Sequence, residues 1–206
     1  MSDQDLPQLY LVTPPKLDLS SYPDLLARTL DAAEVACVRL ELASRDEDEI
    51  GRAADACREV CHARDIAIVV ADHILMVERL GLDGVHFSDG SRQVRAARKD
   101  LGKDAIVGAF CGASTHDGMT AGEQGADYIS FGPVGETNLG DGTVAEHDLF
   151  AWWSEMIEVP VVAEGGLTED LIQALSPVTD FFCLGDEIWA SDDPVATFSA
   201  LAKARV

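Results

Sequence analysis

The sequence predicts a (β/α)8 TIM barrel that occupies residues 1–206 as a single domain. Three observations predict it. Eight short apolar runs alternate with eight segments of helical periodicity at roughly 25-residue spacing, the count and pitch of a closed parallel barrel. Several of the runs, such as Ile66 to Ala71, are wholly apolar, as strands covered on both faces are. The residues able to do chemistry gather just beyond the C-terminal ends of these runs, where such barrels place their sites.

Leu9 to Val12 reads as the first strand, ended by Thr13-Pro14-Pro15 because proline cannot donate to a ladder. Tyr22 to Glu34 is helical, with Leu25, Leu26, Thr29, Leu30 and Ala33 at 3.6 spacing. Ala36 to Leu40 is the second strand. Asp46 to Ala63 is an amphipathic helix burying Ile50, Ala53, Ala54, Cys57 and Cys61. Ile66 to Ala71, His73 to Leu80 and Gly84 to Phe87 form strand, helix and strand. A basic-faced helix spans Ser91 to Leu101, and the fifth strand Ala105 to Ala109. Thr115 to Gln124 is a helix interrupted by glycine, followed by strand Tyr128 to Phe131. Gly132 to Val144 is too rich in glycine and turn formers to be other than a loop. Leu149 to Ile157 is a helix and Val159 to Ala163 the seventh strand. Thr168 to Leu175 is a helix with Thr168 as its N-cap. Phe181 to Leu184 is the eighth strand, and helix Pro194 to Ala204 follows it.

Composition narrows the function. Apolar residues make up 47% and charged residues 25%, the balance of a soluble globular domain. No apolar run approaches the roughly 18 residues of a membrane span. MSDQDLPQLY lacks a basic region followed by an apolar one, so a cytoplasmic location is expected. The net charge of −22 argues against nucleic acid or an anionic membrane as partner. Five cysteines, mostly within apolar strands or on a helix face, read as reduced core thiols; Cys57 and Cys61, one helical turn apart near His62, lack further converging metal ligands.

The strand ends supply the candidate site: Thr13, Glu41, Asp72, His86 with Ser88, Cys111, Gly132 with Thr137, Glu164 to Gly166, and Gly185 with Asp186. Glycines after strands seven and eight stand where many barrels hold phosphate, since they expose backbone N–H groups to an oxyanion. The alternative for Gly165-Gly166 is a tight turn with no ligand.

The strings LYLVTP, GLDGVHF, GADYISFGPV and VPVVAEGGLTED, in this order, resemble thiamine phosphate synthase and its paralogue, the TenI-type thiazole tautomerase. The resemblance runs from Leu9 to about Pro194. It implies a transferase of thiamine biosynthesis that condenses a pyrimidine pyrophosphate with a thiazole phosphate. Mg2+ would hold the departing pyrophosphate, the partner would be a small-molecule thiamine precursor, and a homodimer is one assembly to consider. By the same resemblance Asp72 is the retained metal ligand, while Ser91 stands at the second acidic position, with Asp89 nearby. Thr137, Gly165, Gly166 and Gly185 would contact phosphate, assisted by Arg39. The chain departs from the family pattern where Glu41 and Ala43 replace an arginine and a lysine, where Glu136 replaces a proline, and where Gly185-Asp186 replaces Ile-Ser. One such carboxylate about 6 Å from a phosphate charge, at an effective dielectric near 20, repels it by roughly 2.8 kcal/mol, about a hundredfold in affinity.

Each residue also has a plainer reading. Asp72 reads first as the N-cap of the helix from His73, with metal binding as its alternative. His86 is either an acid–base group or a buried, hydrogen-bonded histidine. His116, in Ser114-Thr115-His116, resembles the tautomerase's Ser-x-His shuttle, but an ungapped count places it at a helix start instead. Cys111 is a nucleophile only with a base beside it, and packing is preferred. Three functions follow: the synthase, the tautomerase acting through His116 or His86, and a non-catalytic barrel whose degenerate site binds a ligand or protein partner.

Overall fold

The computed structural model describes residues 6–137 and 139–205. Its strands β1 (Gln8–Val12), β2 (Cys37–Leu40), β3 (Ala67–Ala71), β4 (Gly84–Phe87), β5 (Ile106–Phe110), β6 (Tyr128–Phe131), β7 (Val161–Glu164) and β8 (Phe181–Leu184) close in sequence order, β8 pairing with β1. Every pairing is parallel. The helices α1 (Tyr22–Leu30), α2 (Glu47–His62), α3 (Ile74–Leu80), α4 (Val94–Leu101), α5 (Thr115–Glu123), α6 (His147–Met156), α7 (Glu169–Leu175), α8 (Asp186–Trp189) and α9 (Pro194–Lys203) follow the strands. Among the described residues no helix is long and apolar enough to cross a membrane.

Two cores result from the period-2 alternation of each strand. Outward residues such as Leu9, Leu11, Val38, Ile68, Phe131 and Phe182 pack with the helices. Inward residues Tyr10, Cys37, Val69, Tyr128, Val162 and Cys183 fill the barrel. Gly108 makes room for this filling, because a Cβ there would lie 2.1 Å from the Tyr128 ring. All five cysteines are buried free thiols, in line with the packing role expected for them.

Capping side chains start several helices. Asp46 accepts from the Asp48 and Glu49 N–H groups, Ser114 from Asp117, Thr168 from Leu171 and Asp193 from Ala196. Several boundaries depart from expectation, three of them for clear local reasons. α1 stops at Leu30 rather than Glu34, since the Ala36 N–H must reach the Leu9 carbonyl to enter the barrel. α4 begins at Val94 because the Ser91 hydroxyl is bound to Asp117, holding Gly90–Gln93 in a 3-10 turn. β7 begins at Val161, the Val159 carbonyl being taken by the Trp153 indole. The one-turn helix α8 was not anticipated, being too short to show a period.

The N-terminal end of the barrel is fastened by a recurring device. Asp83, Asp127 and Asp180 each stand in the turn just before a strand, and each side chain accepts the N–H of the preceding strand, at Ile68, Val107 and Val161. Asp127 also pairs with Arg98, whose other donors bind the Gly102, Ala105 and Gly125 carbonyls. Substituting Asp127→Ala strands the Val107 N–H and a guanidinium edge, with an expected loss of about 1–3 kcal/mol in urea unfolding and no change in ligand binding at the opposite end.

Candidate active site

At the C-terminal mouth a cavity of about 280 Å³ opens between the ends of β1, β2, β7 and β8 and the loop after β6. Its wall includes Val12, Leu42 and Leu139, and its polar residues include Thr13, Arg39, Glu41, Thr137, Glu164, Asp186 and Glu187, with Gly165, Cys183 and Gly185. Four carboxylates thus face one guanidinium.

Arg39 projects inward from β2 and is only 4% exposed. Its Nε lies 2.7 Å from Glu41 and its Nη1 3.1 Å from Glu164, a residue 2% exposed at the end of β7. Burial by itself would lower the Arg39 pKa, but Glu164, with Cys183, Tyr10 and Glu41, more than offsets it, so the guanidinium stays charged. Arg39 was expected to assist a phosphate; its charge is instead committed to two carboxylates of its own chain. Glu41 is half-exposed and turned onto Arg39, and its N–H donates to the Thr13 hydroxyl. The Glu164 oxygens make no directed hydrogen bond beyond this ion pair.

From Arg39 a chain of hydrogen bonds crosses the barrel. Arginine can only donate, so its Nη1 gives a proton to His86 Nε2 at 2.9 Å. This assigns the His86 proton to Nδ1, which donates to the Tyr128 hydroxyl at 2.9 Å; Tyr128 meets Tyr10 at 2.7 Å. Burial, then the neighbouring Arg39 charge, holds the His86 pKa well below the usual imidazole range. Both ring nitrogens are engaged, the arrangement of the second of its two readings, a buried, hydrogen-bonded histidine.

The Gly165-Gly166 pair forms the tight turn that was one of its two readings. The two residues have φ of 85° and 75°, and a Cβ on Gly166 would lie 2.7 Å from Gly135, so the turn and its close approach demand glycine. The amides beyond the turn are also directed at an anion, which is internal. Glu187 Oε1 accepts the Gly166 and Leu167 N–H groups at 2.7 and 3.1 Å, and Oε2 accepts the Gly185 N–H at 2.9 Å. Glu187 was not singled out from the sequence; Glu164 stood in the candidate list as the residue opening the glycine turn, with no role of its own.

The remaining candidates separate. Thr137 and Asp186 line the cavity, whereas Glu136 lines a shallow depression formed with Gly135, Thr137, Gly142 and Val144. Cys111 is buried away from the lining, its thiol donating to the Ala109 carbonyl and its pKa pushed up by burial, as a packing residue would be. His116 is exposed in the first turn of α5, outside the cavity lining. Asp72 is not the cap of α3: that position belongs to His73, and the Asp72 carboxylate instead takes the Ser88 N–H at 2.8 Å and the Ser88 hydroxyl at 2.6 Å, tying the exit of β3 to that of β4. Asp72 adopts φ of 60°, a left-handed conformation that aspartate tolerates better than most residues.

Among the described residues no three His, Cys, Asp or Glu side chains converge as a metal cage. Mg2+ bound together with substrate phosphates needs only one or two protein carboxylates. Asp72 fits that demand, since each of its oxygens keeps a lone pair beyond its bond to Ser88. Asp89, next in the chain after Ser88, has a buried Oδ1 with no hydrogen-bond partner. The Ser91 hydroxyl donates to Asp117.

A family model described as thiamine monophosphate synthase matches residues 9–179. The chain belongs to the thiamine monophosphate synthase family. It is 39% identical to a thiamine-phosphate synthase of Rhodospirillum centenum, over 95% of this chain and 94% of that protein. It is 37% identical to one of Erythrobacter litoralis, over 95% of each. Its fold superimposes on thiamine phosphate pyrophosphorylase from Pyrococcus furiosus with a TM-score of 0.83 at 20% identity, covering 96% of this chain and 94% of that one.

Two measurements test this family member's polar interior. Arg39→Met leaves Glu164 unpaired in the barrel and is expected to cost about 3–5 kcal/mol, with part of the loss recovered when Glu164→Leu is added. His86 has a depressed folded pKa, so the unfolded chain binds the extra proton first. Its contribution is complete above the unfolded value of about 6.5 and is lost as pH falls below it, at up to ~1.4 kcal/mol per pH unit. Urea midpoints measured from pH 7 to 5 should fall in the wild-type chain and flatten in His86→Gln.

Proposed function

We propose that the cavity at the mouth carries out a transfer of the thiamine phosphate synthase type between two small-molecule thiamine precursors. The ring nitrogen of a thiazole forms a bond to the methylene carbon of a hydroxymethylpyrimidine pyrophosphate. The carbon–oxygen bond to pyrophosphate breaks, and the leaving group departs with the electron pair. The observation that carries this reading is the cavity itself, placed where a (β/α)8 barrel reacts, in a chain that matches synthases over nearly its full length.

The side chains divide the task. Val12, Leu42 and Leu139 offer an apolar wall for a heterocycle. Arg39 fixes Glu41 and Glu164 in place rather than meeting the leaving group, so the charge that develops on pyrophosphate must be met elsewhere. Asp72 and Asp89, which follow β3 and β4 and stand outside the cavity lining, would hold Mg2+, which neutralises that charge when bound. The tautomerase reading is less well served, because both His86 nitrogens are engaged.

The test is product formation by purified protein with Mg2+, the pyrimidine pyrophosphate, and the thiazole offered both as its phosphate ester and as the free alcohol. Thiamine or its phosphate is expected to appear, and Asp72→Asn should slow its formation at least tenfold without lowering the melting temperature by more than a few degrees. No product from either thiazole would remove the transferase reading and leave the tautomerase and the non-catalytic binding barrel.

A further inference from the structure

Three backbone N–H groups from two different strand ends converge on one side chain. Gly166 and Leu167 approach it from the turn after β7, and Gly185 from the end of β8. Such a cup matches an anionic group with several oxygens, and its glycine backbone is locked by the contact of Gly166 with Gly135. In this chain the carboxylate of Glu187 fills it. Both Glu187 oxygens are used, so the cup is satisfied without a ligand.

The charge around the cup points the same way. Glu41, Glu164 and Asp186 share the lining with Glu187, and Arg39, the one cation of the lining among the described residues, is already paired twice. A phosphate ester entering here would have to expel the Glu187 carboxylate from three hydrogen bonds and then sit among the remaining acids. A hydroxyl group meets no such conflict, because it can donate to a carboxylate oxygen that retains a lone pair. Glu164, 2% exposed in the same wall, adds a buried carboxylate whose Oε1 takes no directed hydrogen bond.

We propose that Glu187 is a specificity-determining residue that closes the anion cup from within, so that the site accepts a thiazole ending in a free hydroxyl in preference to its phosphate ester. The substrate class is an uncharged or cationic heterocyclic alcohol. The naming of the thiazole rests on the transferase reading above, whereas closure of the cup against phosphate stands apart from it and is measured without turnover.

The probe is inorganic phosphate, titrated calorimetrically into the wild-type chain, Glu187→Ala and Asp186→Ala. Asp186→Ala removes a charge from the same mouth but frees no cup amide. Glu187→Ala is expected to bind phosphate at least tenfold more tightly than the other two. Equal phosphate affinity in all three proteins, or equal gains in both variants, overturns the proposal: the first means that Glu187 swings aside freely, the second that only net charge matters. If Glu187→Ala does not fold, Glu187→Gln is used, since its amide presents only one acceptor and should still raise phosphate affinity severalfold. In a second arm the wild type should bind the thiazole alcohol at least tenfold more tightly than the phosphate ester, with this ratio reversed in Glu187→Ala. A wild-type preference for the ester also overturns the proposal, whereas failure of both thiazoles to be turned over would remove the transferase reading and leave the phosphate comparison standing.

Discussion

A guanidinium enclosed by a β-barrel must be neutralised and hydrogen-bonded, and the demands of Arg39 arrange most of the polar interior. Unpaired, it would cost several kcal/mol in desolvation. It draws Glu41 back from the mouth, holds Glu164 at the end of β7, and donates to His86 across the barrel. That last bond fixes the imidazole tautomer, and the tautomer orders the contact with Tyr128 and, through it, Tyr10. Five strands, β1, β2, β4, β6 and β7, are thereby linked through side chains as well as through their ladders. What resembled a reactive set of residues is largely a framework.

The acidity of the mouth is less severe than the count of carboxylates suggests, since each of several acids has an internal partner. Glu41 and Glu164 share Arg39, and Glu187 is met by three amides. Asp186 is the exposed acid of the lining. Three backbone amides after β7 and β8 converge on the Glu187 carboxylate, and the Arg39 guanidinium is closed in ion pairs within the chain.

Much of the barrel could be read from the sequence because its signal is local. Apolar runs such as Ile66 to Ala71 and Phe181 to Leu184 need no tertiary information to be recognised as buried strands, and glycines at 165 and 166 announce a turn whatever lies opposite. The site was less legible because its partners are distant in the chain. Arg39 and Glu164 meet only when the barrel closes, as do Gly166 and Glu187 across the mouth. Glu187 also hid in a helix of four residues, too short for any periodicity to reveal which way its side chain turns. Asp72 misled for a related reason: the pattern of an aspartate before a helix suits a cap, but its left-handed backbone carries the carboxylate to Ser88 on the neighbouring strand exit.

The aspartates at 83, 127 and 180 group the strands. Each joins a strand to the turn leading into the next, so β3 with β4, β5 with β6, and β7 with β8 behave as doublets clasped at the base. The seams between doublets lack this clasp among the described residues. A circular permutant opened between α4 and β5 would keep every clasp within a continuous stretch of chain, whereas one opened in α3 would turn the Asp83 clasp into a contact between distant ends. The architecture is modular in pairs of strands, and its joints lie at the end of the molecule remote from the cavity.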